Sequence, residues 1–286
     1  MTNKFIIQGN CSGMKLGVYA RSVLGYSAKL LKDIKYNGRI TVNGADVFTN
    51  YLLKEGDVLE LTAPKYASEN IEPVNIPLDI IYEDDDLLAV NKPYNMPVHP
   101  SIRHRDDTLA NAVMYYYKDE LFTYRVLTRL DIDTTGVVII AKNAHAANRF
   151  SFSEPMKKYI AVCVGAPAKP EGEICAPIVR DEGIIKRRID ENGKYALTKY
   201  RVLGENNGLS LVEACPVTGR THQIRLHLSY IGCPVYGDFL YGTEIPGERT
   251  RLHCLGVYFN HPITGAKTSI ETGFPKDFEF AFDCLK

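Results

Sequence analysis

The chain has 286 residues, 45% of them apolar and 24% charged, which suits an ordinary globular protein of one large domain or two smaller ones with a real core. Lys and Arg number 34, as do Asp and Glu, so net charge by itself argues neither for nor against nucleic acid. The longest apolar runs, such as "VVIIA" at 137–141, are strand-sized against the ~20 residues that a membrane-spanning helix needs. The N-terminus "MTNKFIIQGN" has an apolar stretch of only three residues and no signal-peptide pattern. The seven cysteines are widely spaced, with neither a C-x-x-C pair nor zinc spacing. They read as reduced thiols of a cytoplasmic protein without a structural metal.

Residues 1–65 read as a compact unit. "MKLGVYARSVLGY" puts Leu16, Tyr19, Ala20 and Val23 on one helical face. "SAKLLKDIKYNG" predicts a second helix capped by Ser27 and closed near Gly38, with Leu30, Leu31 and Ile34 on one side. Lys29, Lys32 and Lys35 fall together on another side. "RITVNGADV" predicts a hairpin turned at Asn-Gly, and "LLKEGDVLEL" a closing strand. This segment holds nine Lys/Arg against five Asp/Glu, a basic excess of the kind a nucleic-acid contact or an ordinary solvated face carries.

Residues 66–76, rich in Pro, Ser, Asn and Glu, read as a linker, and 77–286 as a larger second domain. Its strands are expected at 78–82, 87–91, 137–142, 159–164, 197–203 and 209–214. Helices are expected at 107–118, capped by Asp106 or Asp107, then at 144–153 and 221–231, the last ending at Gly232. This is the pattern of an α+β domain with a mixed, largely antiparallel central sheet.

The stretch "RVLTRLDIDTTGVVIIAKN", 125–143, places an arginine and two aspartates in a short polar gap between apolar runs. A calcium loop fails by counting: from Asp131, positions 3, 5 and 6 are Asp133, Thr135 and Gly136, but position 12 is Lys142 rather than a bidentate Glu. Asp131, Asp133 and Thr135 also spell the D-x-D-x-T of the haloacid-dehalogenase phosphatases. That motif follows a wholly apolar strand near a domain start, whereas here it lies mid-chain behind Thr128 and Arg129. The plainest alternative is a pair of turn-forming aspartates.

Two resemblances bear on the choice. Residues 12–62 resemble the RNA-binding module first described in a small-subunit ribosomal protein, which implies phosphate contacts from Lys29, Lys32, Lys35 and Arg39. "RLDIDTTG", 129–136, resembles the catalytic motif of the RluA-type pseudouridine synthases, commonly H-R-L-D-x-x-T-S-G, with Thr128 at the His position and Thr135 at the Ser. "AVNKPYNMPVHPS" (89–101) is similar to N-K-P-x-G-x-x-V-H-P, with Asn95 in place of Gly; Asn is the non-glycine residue that best adopts a positive φ. "KKYIAVCVG" (157–165) is similar to K-x-Y-x-A-x-V-x-G, and "PVTGRTHQIRLHLSYIGCPVYGDFLYG" (216–242) contains T-G-R-x-H-Q-I-R-x-H without a break.

The resemblance implies an enzyme that isomerises uridine to pseudouridine in RNA, ribosomal RNA first and transfer RNA second. No redox cofactor or metal is implied. It assigns Asp131 as nucleophile or base, and Arg225 as the cation beside it. Tyr159 is the stacking tyrosine and a candidate acceptor of the carbon 5 proton, and Arg129 the residue that fills the space left by a flipped base. On a helix from 221, Arg225 falls away from the apolar row Ile224, Leu228 and Ile231, free to face a cleft. His99, Arg220, His222 and the basic loop "IRHR" (102–105) are further candidates for phosphate contact. An RNA-binding protein that kept the fold and lost the reaction is the non-enzymatic alternative, and the neutral charge allows a monomer.

Overall fold

The computed structural model describes residues 2–150 and 152–279. Its first part is a four-stranded antiparallel sheet with two helices. The elements are β1 (Thr2–Ile6), α1 (Leu16–Ser22), α2 (Ala28–Asn37), β2 (Arg39–Val42), β3 (Ala45–Asp46) and β4 (Val58–Thr62), with strand order β1-β4-β2-β3. Ser27 caps α2, its hydroxyl accepting from the Leu30 N–H at 3.2 Å, and supplies a partner for one orphan helix donor. Leu30, Leu31 and Ile34 are buried against Leu16, Ala20, Leu59 and Leu61, each fully buried aliphatic side chain stabilising by roughly 1.5–3 kcal/mol. Asn43 and Gly44 turn the β2–β3 hairpin at φ 51° and 81°, the two positive values that a tight hairpin turn requires.

The larger part begins with β5 (Ile80–Glu83), β6 (Leu87–Lys92), α3 (Leu109–Tyr116), β7 (Thr135–Ala141), α4 (Ala144–Phe150) and β8 (Met156–Val164). It continues through β9 (Glu171–Cys175), the separate hairpin β10 (Ile178–Arg180) and β11 (Arg187–Ile189), then β12 (Leu197–Asn206) and β13 (Leu209–Pro216). It closes with α5 (Gln223–Tyr230), β14 (Leu252–Asn260) and β15 (Lys267–Glu271). Nine strands form one sheet in the order β5-β6-β7-β14-β8-β13-β12-β9, with β15 added on β14. Among the described strands β7–β14 is the parallel pair, and the other pairings are antiparallel. The fold is therefore α+β with a mixed, largely antiparallel sheet.

All seven residues of β7 are buried, because the sheet has a core on each side. Val137 and Ile139 enter one cluster with Tyr159, Val212 and Leu228, while Val138 and Ile140 enter the other with Leu109, Val113 and Phe122, as side-chain alternation along a strand demands. At its start Gly136 has φ 111°, and a Cβ there would lie 2.2 Å from the carbonyl oxygen of Cys254. Only glycine lets β7 approach β14 this closely.

Helix boundaries differ from the sequence expectation, and the 66–76 segment has contacts of its own. Helix α3 starts at Leu109 and is capped by Thr108, not Asp106 or Asp107: the Thr108 hydroxyl accepts from Asn111 N–H while the Asn111 side chain accepts from Thr108 N–H. This reciprocal pair outcompetes a lone carboxylate. Helix α4 is described to Phe150 and does not run to 153. Residues 66–76 contain no regular element, yet they are pinned to the larger part. Ser68 N–H donates to Phe122 O at 3.1 Å, Val74 N–H to Asn111 O at 3.1 Å and the Asn111 amide to Glu72 O at 2.8 Å. Ile71 and Ile76 pack on the α3 cluster.

The two cores meet at α4. Tyr26 stacks on His145 with ring centroids 3.9 Å apart and planes 17° apart. Asn148 donates to Gly25 O at 2.8 Å and Arg149 to Leu24 O at 2.9 Å and Pro262 O at 2.7 Å.

Replacing Gly136 by Ala is expected to cost more than about 2 kcal/mol, since the new methyl meets backbone and the φ is unfavourable for any L side chain. Urea unfolding measures this, and a midpoint equal to wild type would mean that β7 and β14 can separate without loss.

Candidate active site

A cleft of about 350 Å³ opens where the ends of the sheet strands meet the start of α5; its lining includes Arg129, Asp131, Lys157, Tyr159, His222 and Arg225. Each wall has a local cause. The loop 129–134 is held from below by Lys92, whose fully buried amine donates to Pro93 O at 2.8 Å, Met96 O at 2.9 Å and Ile132 O at 3.1 Å. Burial pulls this amine down to about 7, against the pull of Asp133 and Asp131, while the three carbonyls match the three protons of an ammonium group. Asn95, in the same turn, has φ 56°, the positive value expected of an Asn replacing Gly.

The T-G-R-x-H-Q-I-R segment is fixed by its glutamine. Gln223 accepts from the Thr218 hydroxyl at 2.8 Å and Arg220 N–H at 2.9 Å, and donates to Leu197 O and Thr198 Oγ1, both at 3.0 Å. His227, one turn on, lies 2.9 Å from both Thr198 Oγ1 and Ala176 O. Ile224 and Leu228 face the core, with Ile231 packed against it, so Arg225 is turned toward the cleft.

Arg225 is the electrostatic centre. Its Nε and Nη2 donate to the two oxygens of Asp238, each at 2.7 Å, and its Nη1 lies 3.6 Å from Asp131 Oδ2. The Arg225 and Asp238 side chains are 2% and 0% exposed, whereas that of Asp131 is 24% exposed. Burial alone would lower Arg225; the Asp238 and Asp131 charges outweigh it and raise it. Asp238 in turn stays low despite burial because Arg225 and the N–H groups of Leu240 and Tyr241 bind it. Phe239 and Tyr241 present ring faces 5.7 and 5.6 Å from the guanidinium carbon. Asp133 is buried and raised, mainly by burial.

Tyr159 lies on β8 at the cleft floor. Burial, and then the nearby Cys254 and Asp131, push its phenol well above its ordinary value. Arg129 is exposed at the mouth. His99 is largely exposed, and partial burial and then the charge of Arg129 push its imidazole down. His222 lines the cleft, and Arg220 lies at its rim with Nε donating to Tyr195 O at 3.0 Å.

Thr128 and Thr135, the two departures from the family motif, both hold structure. The Thr128 hydroxyl accepts from Ile139 N–H at 2.9 Å, and Thr135 Oγ1 lies 2.8 Å from His253 Nδ1 across the parallel pair.

The basic candidates of the first part are divided. Lys32 and Lys35 line a groove between α1 and α2 with Lys15, Arg21 and Tyr36. Lys29 is exposed outside that groove, and Arg39 is engaged by Asp46 at 2.7 Å on the hairpin. Sequence reading missed Lys15, just before α1, and Arg21 on it, as it missed Lys157 in the cleft and Asp238 and Tyr241 beside Arg225. A buried arginine demands a buried acid, and the "GDFLYG" that follows α5 was the signal for Asp238. Among the described residues Asp84, Asp86 and His261 offer ligand atoms within 4.8 Å of one another. His261 Nδ1 accepts from the Ile263 and Thr264 N–H groups and Nε2 faces Asp84 at 3.0 Å, so both imidazole nitrogens are already engaged.

Comparison with known proteins bears on this cleft. Residues 86–230 match the family model described as RNA pseudouridylate synthase. An uncharacterized RNA pseudouridine synthase of Bacillus subtilis, YjbO, is 37% identical over 264 residues, 89% of this chain and 93% of that protein. The ribosomal large subunit pseudouridine synthase D of Zymomonas mobilis is 33% identical, covering 82% of this chain and 81% of that one. The structure of human RNA pseudouridylate synthase domain containing 1 superposes with a TM-score of 0.60 at 28% identity, covering 73% of this chain and 86% of that one. The D-x-D-x-T spacing thus falls inside a synthase match, and the chain belongs to the RNA pseudouridylate synthase family: it is an RNA pseudouridine synthase, an isomerase.

Proposed function

We propose that Asp131 is the nucleophile or base of this synthase and that large-subunit ribosomal RNA is its substrate. The observation that carries the assignment is the sharing of one guanidinium between two acids. Asp238 is sealed and takes both strong hydrogen bonds, while Asp131 is open to the cleft and receives charge at 3.6 Å without a hydrogen bond. A carboxylate that faces the cleft beside a fixed cation, with neither oxygen tied down by that cation, is available to react. Asp238 acts through Arg225 and is a positioning residue.

Pseudouridine formation detaches uracil from ribose, turns the base and rejoins it through carbon 5. The target must leave its stack, at a cost of a few kcal/mol. Arg129, exposed at the mouth, is placed to fill the vacated space. Tyr159 is placed to stack on the flipped base. Its raised phenol keeps its proton at neutral pH, which favours stacking over acceptance of the carbon 5 proton. His99 and Arg220 flank the mouth as candidate RNA contacts.

The relatives named ribosomal large subunit pseudouridine synthase D support a ribosomal substrate. The groove formed by Lys15, Arg21, Lys32 and Lys35 supports RNA binding by residues 1–65. A cytoplasmic site of action follows from such a substrate; no helix among the described residues is long and apolar enough to cross a membrane.

Three outcomes are expected. Wild type releases tritium from carbon 5 of uridine in ribosomal RNA, with or without EDTA, and Asp131→Asn, nearly isosteric, does not. Release by the variant within tenfold of wild type would remove Asp131 from its role. Asp238→Asn strips the buried arginine of its full partner; it is expected to lose about 3–5 kcal/mol in urea unfolding and most of its turnover. Wild-type activity in this variant would show that Arg225 holds its place unaided. Lys32→Gln with Lys35→Gln should flatten the log–log salt dependence of RNA binding by about 0.7–0.9 for each phosphate no longer neutralised, and an unchanged slope would mean that the groove faces solvent only.

A further inference from the structure

His222 stands at the start of α5 with φ 57° and ψ 18°. A left-handed conformation is unfavourable for a non-glycine residue and persists where surroundings over-determine it, often at functional sites. The surroundings here are Tyr241 and the β10–β11 hairpin. His222 Nδ1 lies 2.9 Å from the Tyr241 hydroxyl, and that hydroxyl accepts from the backbone N–H of Arg187 at 2.7 Å. A hydroxyl has one proton. The Arg187 N–H occupies one of its two lone pairs, and giving that proton to His222 Nδ1 would leave the ring's own proton on Nε2.

We infer that His222 presents a fixed Nε2–H to a carbonyl oxygen of the target uracil, and that Tyr241 is the positioning residue that selects this tautomer. The inference rests on the cleft being the uridine site, as proposed above. It replaces the phosphate contact expected of His222 from the sequence.

The charge around the ring favours this role. Burial lowers His222; Asp131 and Asp238 oppose this, while Arg225 and Arg187 reinforce it, and the net direction is down. The imidazole is therefore neutral at neutral pH, a donor suited to an uncharged oxygen. The cleft already has cations in Arg225 and Arg129, and a phosphate would call for another. Tyr241 also ties the donor to the centre of the site. Its N–H donates to Asp238 Oδ1 at 3.1 Å, its carbonyl accepts from the Ser229 hydroxyl at 2.6 Å and its ring faces Arg225. When the glycosidic electron pair is left on the base, density rises on the uracil carbonyl oxygens, and a donor fixed there binds more tightly than in the ground state.

Two readouts test this, one independent of turnover. In protein labelled with ¹⁵N-histidine, the His222 resonances, identified by their loss in His222→Asn, are expected to show the Nε2–H tautomer at neutral pH. Tyr241→Phe is expected to convert them to a tautomer mixture and to lower kcat about tenfold with KM unchanged. His222→Asn tolerates the left-handed backbone but lacks the reach of Nε2. It should lose about 10- to 100-fold in turnover with the salt slope of RNA binding unchanged. His222→Gln, whose amide reaches the Nε2 position, should recover most of that loss. An Nδ1–H tautomer or an imidazolium would overturn the proposal, as would wild-type turnover in His222→Asn. A fall of about 0.7–0.9 in the salt slope of that variant would return His222 to a phosphate contact. If wild type released no tritium from any RNA, the uridine-site reading would fall, while the tautomer spectrum would still decide the part played by Tyr241.

Discussion

A guanidinium buried to 2% exposure between two acids is the constraint on which the rest of the cleft depends. A buried charge is costly unless it is paired and its hydrogen bonds are filled. Asp238 supplies the full opposite charge and two hydrogen bonds, so Arg225 is held without a hydrogen bond to Asp131. Asp131 is thereby left as a carboxylate that feels positive charge without being locked by it. Had Asp131 been the sole partner, it would have been held bidentate and its oxygens would have been unavailable to substrate.

The sheet supplies the rigidity that this arrangement needs. Asp131 precedes β7, Tyr159 is on β8, Arg225 is on α5 and Asp238 follows it, so four separate segments must meet within a few ångströms. Gly136 allows β7 to pack against the β14 backbone, and Lys92 ties the loop bearing Asp131 to the turn at Met96. Gln223 and His227 use nearly all their polar atoms on backbone, Thr198 and Thr218. These polar side chains contribute by holding one geometry of the cleft, and the chemistry falls to their neighbours.

The contact at α4 has a different character. The Tyr26–His145 stack and the bonds from Asn148 and Arg149 to Gly25 and Leu24 join two cores that are otherwise built from their own residues. The contact sets where the basic groove lies relative to the cleft, and so which stretch of an RNA could occupy both at once. A small polar contact of this kind restrains orientation more than it adds stability.

The amino-acid sequence alone determined most of what repeats along the chain. The Ser27 cap, the Asn43-Gly44 turn, the apolar strands around 87–91 and 137–142 and the helix carrying Arg225 are local patterns, and local patterns are written in neighbouring residues. The linear motifs also carried Asp131, Tyr159 and Arg225 together. Less was legible where side chains from distant segments compete or combine. β1 alternates only between exposed and half-buried positions, and β14 reads as strand only beside β7 and β8. The cap of α3 went to Thr108 because Asn111 could answer it. Lys157 and Tyr241 gave no sign of their roles, and Asp238 only the acid that a buried arginine would need, since what makes each of them matter is a partner elsewhere: the shared cleft, the imidazole of His222, the buried Arg225. Spacing fixes which residues can share a helix face or a turn, whereas burial and charge pairing arise only when segments remote in the chain are brought into one low-dielectric space.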